Sequence, residues 1–441
     1  MGNRYLEYCT GVCQCIVSEN WQLYKIIGVG GIGSGSLYWL SKLSQRFPKT
    51  GGLGILGIEQ FRLGHDNGSS QDISRTIRYM YHDASYIKLA PGSYETWEAI
   101  ESESGIKLVT KTGGLFFTPN ERGHVALIDQ LAKAMTAENI LFERLDGAGI
   151  HRKYPQFNVK NKDIVGLYQK DSGFVNAGLA NAVHTQLARK HGAEILENTK
   201  VTKVAKEGGH VRVSTNNGDY AAENLIIACG AWNNDILEHL GVKVSITVTQ
   251  EQVSYFGTPN IREFLPDRFP VWICHGIHHD YHGTPINPGC STGIKIGADA
   301  SGSVCTADTR TFQVNPERLE AAENFLQEFI PGGYGPELYT KTCLYELTPD
   351  RHFILDSLAC KGLPNVHVFM GCGHGYKYAS LIGKIFAQLI LLGSTEYPIS
   401  DCFRIDRPAL RMVDVKEIIN LSGKKQQLPP VPGWRAIKNS I

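Results

Sequence analysis

The sequence has no membrane span. Its most apolar stretch, Ile382 to Leu392, is interrupted by Lys384 and Gln388 and is too short to cross a bilayer. No targeting signal is expected either. The opening MGNRYLEYCTGVCQC has no basic region followed by an apolar one, and position 6 is Leu where a myristoylation motif needs Ser or Thr. The final Asn439-Ser440-Ile441 is not a peroxisomal tripeptide. An intracellular and most simply cytoplasmic protein is expected. An excess of one charge sign is missing too. The 44 Lys and Arg balance 43 Asp and Glu, for a net +1, so neither nucleic acid nor a membrane surface is expected as partner. The 11 cysteines are odd in number and scattered, and no two stand in a C-x-x-C pair. They read as reduced thiols, not as a disulfide framework or a zinc ribbon. Cys9, Cys13 and Cys15 cluster near the start, and no metal is expected there.

At 441 residues the chain is long enough for two domains or one large one. Its 42% hydrophobic and 20% charged shares are those of an ordinary globular protein. Lys25 to Ser36 reads KIIGVGGIGSGS. Gly28, Gly30 and Gly33 fit G-x-G-x-x-G between a strand at Tyr24–Ile27 and a helix from about 32 to 43. Gly28 permits the tight turn and Gly30 lets the backbone approach a pyrophosphate. Gly33 lets the helix pack on the strand, and the helix N-terminus faces the phosphate. A second buried strand, GLGILGIEQ, ends at Glu59, whose carboxylate is placed to accept a ribose hydroxyl. On this motif alone NAD, FAD and ATP all remain open.

Further along, helices are expected at 86–103, 125–137, 178–191, 316–329 and 379–392. LVTKTGGLFFTP reads as a hairpin with Gly-Gly at the turn, and AGIHRKYPQF as irregular. Residues 193–232 supply strands with turns at Gly208-Gly209 and Asn216-Asn217-Gly218. Short strands fill 244–300, and HVFM is a strand before a Gly-rich turn. Residues 1–19 form an N-terminal extension and 412–441 a C-terminal tail. Nucleotide-type elements at both ends of a β-rich middle predict an α/β fold of two interleaved domains.

Several motifs follow in order. Gly68 to Arg78 reads GSSQDISRTIR, and Gly293 to Gly297 reads GIKIG. Lys341 to Tyr345 reads KTCLY, with TPD and HFILD after it, and Met370 to Lys377 reads MGCGHGYK. Residues 225–232, LIIACGAW, resemble a second nucleotide-facing crossing. Together these resemble the monomeric sarcosine oxidase and pipecolate oxidase family of FAD-dependent amine oxidases, from about residue 24 to 411. The resemblance implies a mixed fold, with a Rossmann-like FAD-binding domain from 20–105, 165–240 and 335–411. A substrate domain on a mixed sheet would come from 106–164 and 241–334.

The resemblance also implies roles. Cys343 would tether FAD covalently as a thioether, which needs a partly ionised thiol; Lys341 would share its face of the strand. Arg78 and Lys377 would hold a substrate carboxylate, with Tyr345 beside them. Arg75 would lie near the flavin ring, and Lys295 would promote oxygen reduction as a fixed cation. Gly31, Ile32, Ser69, Ser70, Val201, Gly230 and Trp232 would line the cofactor, and the backbone of Gly373, His374 and Gly375 would reach its pyrimidine edge. The expected reaction oxidises a small secondary amine to an imine, with oxygen as acceptor and hydrogen peroxide as product. The chain departs from the family at His282, where a Tyr is usual, at Asp299, where a His is usual, and at Ser70-Gln71, where two His are usual. Asp299 suggests an extra cationic or hydroxyl group on the substrate. His275, His278, His279 and His282 are expected to line the site or to be solvated. A monomer or small homo-oligomer is expected.

Overall fold

The structure is a computed structural model that describes residues 20–21, 23–47, 54–411, 417–419 and 425–427. The N-terminal cysteine cluster and most of the C-terminal tail lie outside the described residues. The fold is mixed α/β. A six-stranded sheet runs in the order Glu194–Leu196, Ile55–Ile58, Tyr24–Ile27, Asn224–Ile227, Leu363–Met370, Ile354–Leu358. All neighbours are parallel except the last pair. Strands such as ILGI, and NLII after its first residue, are apolar and buried because this sheet is covered on both faces. Lys25 is the exception in its strand; it is fully buried and donates to the Ala221 carbonyl.

On one face lie the helices Gly31–Ser44, Ala177–Lys190 and Ala379–Leu392. The first and last touch backbone to backbone at Gly35 and Gly383, where an added Cβ would come within 2.3 Å of a main-chain carbon. The other face packs on a four-stranded sheet through Val204, Val211 and Val213. A nine-stranded sheet, mostly antiparallel, carries the strands Thr247–Gly257, His279–Thr284, Gly293–Ala298 and Glu337–Leu347. Its rear face is closed by the helix Pro316–Phe329, with Phe325 stacked on Trp272 at 5.5 Å between ring centroids.

Four local expectations change. LVTKTGGLFFTP is not a hairpin. Val109–Lys111 pairs with Gly173–Val175 in a three-stranded sheet, while Gly114–Pro119 joins the nine-stranded one. The left-handed Gly113, at φ +71°, and the Thr112 N–H bond to Ser172 redirect the chain between them. AGIHRKYPQF is not irregular throughout, since Gly147–Lys153 is helical with Asp146 accepting from the Gly149 N–H at 2.7 Å. Residues 165–169 and 337–347, read above with the cofactor-binding part, pair into the nine-stranded sheet. Among the described residues no helix is long and apolar enough to cross a membrane.

Candidate active site

The parallel strands deliver the glycine turn to the edge of a cavity of about 1000 Å³. Gly28 takes φ +85° and donates its N–H to the Ile58 carbonyl at 2.9 Å. A Cβ on Gly33 would lie 1.8 Å from the Gly28 carbonyl oxygen, so only glycine allows this helix to start here. Glu59 is 5% exposed and locks the turn, accepting from the Val29 N–H at 2.8 Å and the Phe61 N–H at 3.1 Å. The Ser69-Ser70 loop folds over the helix start, with Ser70 Oγ accepting from the Gly31 N–H at 2.8 Å. Val201, Gly230 and Trp232 reach the same wall from the strand and turn that follow.

The opposite end of the cavity is cationic. Lys295, 2% exposed, donates to Asp72 Oδ2 at 2.7 Å and to the Ser74 carbonyl at 2.9 Å. Burial pushes the lysine below its ordinary range, and Asp72 opposes the shift. Burial works against the Asp72 charge as well, but Lys295 and Arg75 hold its carboxyl below the usual carboxylate range. Arg75 lies 3.5 Å from Asp72, donates to the Ser69 carbonyl at 2.7 Å and leaves Nε without a partner. Asp72 stands inside the GSSQDISRTIR run, yet sequence reasoning gave it no role. Its loop carries no periodicity that separates a buried carboxylate from a solvated one.

Arg78 and Lys377 meet on one aromatic ring. The Arg78 guanidinium carbon is 4.2 Å and Lys377 Nζ 5.6 Å from the Tyr81 centroid. Both are buried, and neither has a carboxylate within ion-pair reach among the described residues. Lys377 Nζ donates to the His374 carbonyl at 2.6 Å. Gly373, at φ +79°, lies so close to the Tyr345 ring that a Cβ would come within 2.4 Å of it. His282 faces the cavity, where burial with Lys295 and Arg75 nearby pulls it down to about 3, so it is neutral. His275 instead pairs with Asp280 at 2.6 Å, and His278 and His279 are exposed.

Asp299 is not a free carboxylate. Arg351, which the sequence reading passed over, lies 3.2 Å from it. This removes the reason to expect an extra cationic group on the substrate. Cys343 is 2% exposed and does not line the cavity, although Leu344 and Tyr345 do. Burial pushes its thiol up, with Arg75 pulling the other way. Lys341 does not assist. Its Nζ is held by Asp66 at 2.6 Å and the Gln71 carbonyl at 2.8 Å. Of the residues singled out from the sequence, Gly33, Cys343, Lys341, His275, His278 and His279 are absent from the wall.

A flavin dinucleotide fits this wall. A Cβ at Gly30 would crowd Ser70 Oγ at 2.7 Å, so the turn is kept bare where a diphosphate would rest. At the other end two buried polar atoms are left without partners, the donor Arg75 Nε and the acceptor His374 Nδ1, whose ring donates through Nε2 to the Arg351 carbonyl at 3.1 Å. A family model described as FAD dependent oxidoreductase matches residues 25–389. The chain belongs to that family. This oxidoreductase is similar to the monomeric sarcosine oxidase of Bacillus sp. (strain B-0618), 31% identical over 88% of this chain and 96% of the relative. The Streptomyces avermitilis sarcosine oxidase is 33% identical, over 85% of this chain and 94% of the relative. An Escherichia coli N-methyl-L-tryptophan oxidase is 28% identical, over 87% and 98%. Among solved structures, NikD, an amino acid oxidase of nikkomycin biosynthesis, superposes with a TM-score of 0.77 at 22% identity, over 88% of this chain and 98% of that one. The L-proline dehydrogenase of P. horikoshii gives 0.76 at 21%, over 89% and 100%. These two establish a common fold. The oxidoreductase is therefore an FAD enzyme related to oxidases of N-methylated amino acids.

Proposed function

We propose that the enzyme oxidises a small secondary amino acid, of the sarcosine, pipecolate or related N-alkyl or cyclic type, with oxygen as acceptor. The observation that carries this reading is the pair of buried cations, Arg78 and Lys377, without a carboxylate partner among the described residues. Buried charges without a counterion are costly, and a substrate carboxylate offsets that cost with charge-assisted bonds. The six-stranded sheet and its helices would form the FAD-binding unit, and the nine-stranded sheet the substrate-binding wall.

When bound, the flavin held along this wall would supply two-electron redox chemistry, the oxidation of an amine carbon–nitrogen bond coupled to the reduction of oxygen to hydrogen peroxide. The chain's residues do the rest. Arg78 and Lys377 fix the carboxylate, which orients the amine carbon. His282, neutral, hydrogen-bonds near the amine without adding a competing charge. Lys295 supplies a fixed positive field where oxygen gains electrons. The imine leaves and hydrolyses in water. Cys343 is the residue we propose to tether the cofactor, with Arg75 as the cation that favours its thiolate.

The test is direct. The purified protein should be yellow and should bleach anaerobically with an N-methyl or cyclic amino acid. Peroxide should appear once air is admitted. Bleaching without peroxide would remove the oxidase reading. The colour should stay with the acid-precipitated chain and leave it in Cys343→Ala. Colour in the wild-type supernatant would remove the covalent link alone.

A further inference from the structure

Lys295 poses a physical problem that its proposed role does not solve. A lysine that is 2% exposed tends to shed its proton, and a neutral amine has no field to offer oxygen. The groups facing Lys295 are Asp72 and Arg75 from the loop and strand above it, Tyr255 and His282 from the neighbouring strands, and Cys343. Asp72 is the one that bonds it directly and carries the opposite charge. Resting on the reading of Lys295 as the oxygen-side cation, we propose that Asp72 is a positioning residue that keeps Lys295 protonated and aimed into the cavity.

The geometry supports more than an incidental ion pair. One Asp72 oxygen accepts from Lys295 at 2.7 Å; the other accepts from the Tyr255 hydroxyl and, at 2.8 Å, from the Ile73 N–H. The backbone around it is pinned as well. The Asp72 carbonyl accepts from the Gly178 N–H at 2.8 Å, and the Ile73 carbonyl from the Asn287 side chain at 2.6 Å. Lys295 spends a second N–H on the Ser74 carbonyl at 2.9 Å. An ammonium has three donors, so one remains for the cavity. Stability alone does not explain such a pair, because apolar residues of the same volume commonly serve as well or better. Without Asp72, burial meets less opposition and the Lys295 pKa falls further below its ordinary value. The proton returns as the pH falls.

The experiment compares holoenzyme variants in stopped flow, reading flavin reduction and reoxidation separately. Lys295→Met should slow reoxidation by roughly 10²–10³-fold, the usual cost of removing one electrostatic stabiliser. Asp72→Asn should slow it comparably near neutral pH but recover about tenfold for each unit the pH is lowered, as a single-proton group does. Flavin absorbance should titrate with the same midpoint in Asp72→Asn and not in Lys295→Met. Arg for Lys295 in the Asp72→Asn background should remove the pH dependence, since arginine stays charged without a carboxylate. If Asp72→Asn does not fold, Asp72→Ser serves in its place. Reoxidation that is wild-type at every pH, or slow at every pH without recovery, overturns the proposal. Normal reoxidation in Lys295→Met would instead overturn the oxygen reading of the lysine.

Discussion

Replacing Lys377 by methionine separates substrate recognition from structure. The side chain is 6% exposed, and its Nζ donates to the His374 carbonyl at 2.6 Å beside the Tyr81 ring. The Lys377 backbone is held independently, since the Trp97 indole donates to its carbonyl at 2.8 Å and Ser93 does so too. The turn should therefore survive the change. What is lost is one charge-assisted bond to the substrate, worth about 1.5–3 kcal/mol, or roughly 10–150-fold in kcat/KM. The assay uses paired substrates, an N-methyl amino acid and the same amine without its carboxylate. The wild type should prefer the acid, and the variant should lose that preference by the stated factor with kcat/KM for the amine unchanged. Stability supplies a second readout. Burial is the largest influence on Lys377 and sets it below its ordinary value, so the unfolded chain binds the proton more readily. Stability therefore rises with pH in the window below the normal lysine pKa of 10.5, and Lys377→Met should lose that rise. An equal fall in kcat/KM for acid and amine would refute the carboxylate argument.

The two glycines of the turn should fail differently. Gly33→Ala drives a Cβ into a backbone oxygen 1.8 Å away and should prevent soluble expression or lower the melting temperature steeply. Gly30→Ala meets only the Ser70 hydroxyl, so the fold should persist while the flavin-to-protein ratio falls. A Gly33→Ala protein with full flavin content would contradict the packing argument. Acid should destabilise the enzyme before its carboxylates titrate. Burial holds His184 and His282 down at about 3 and His367 at about 4, against 6.5 in the open. Their contribution is present above 6.5 and is lost as the pH falls towards those values, by up to about 1.4 kcal/mol per unit for each. Urea unfolding at stepped pH reads this directly, and a stability that stays flat from about pH 7 to about pH 4 would disprove it.

The parts of the site that sequence made legible are those where residue type and local geometry coincide. Gly28 and Gly33 are demanded by a left-handed φ and a backbone contact, so the motif and the turn are the same fact. The helices Pro316–Phe329 and Ala379–Leu392 were readable to the residue because Asn315 with Pro316 starts one and Gly393 ends the other. Long-range pairing was opaque. Thr112-Gly113-Gly114 has the chemistry of a hairpin turn, yet its two flanking strands have better partners in different sheets. Arg351 and Asp299 are 52 positions apart, and only the fold shows that each has found the other.

That last pair changes what the pocket is expected to select. From sequence, a carboxylate at position 299 looks like an invitation to a cationic or hydroxylated substrate. In the fold it is engaged by Arg351, just as Asp72 is engaged by Lys295. The described ion pairs thus reach Lys295 and Arg351 and stop short of Arg78 and Lys377. The unmet charge at this end of the cavity is positive and sits on one aromatic ring. On the proposed function, a ligand that brings a single carboxylate would complete it. A ligand that brings an added cation has no free anion to meet at Asp299 and would face Arg78 and Lys377 unopposed. Selection by this pocket should therefore turn on the substrate's carboxylate first and on the size of its amine substituent second.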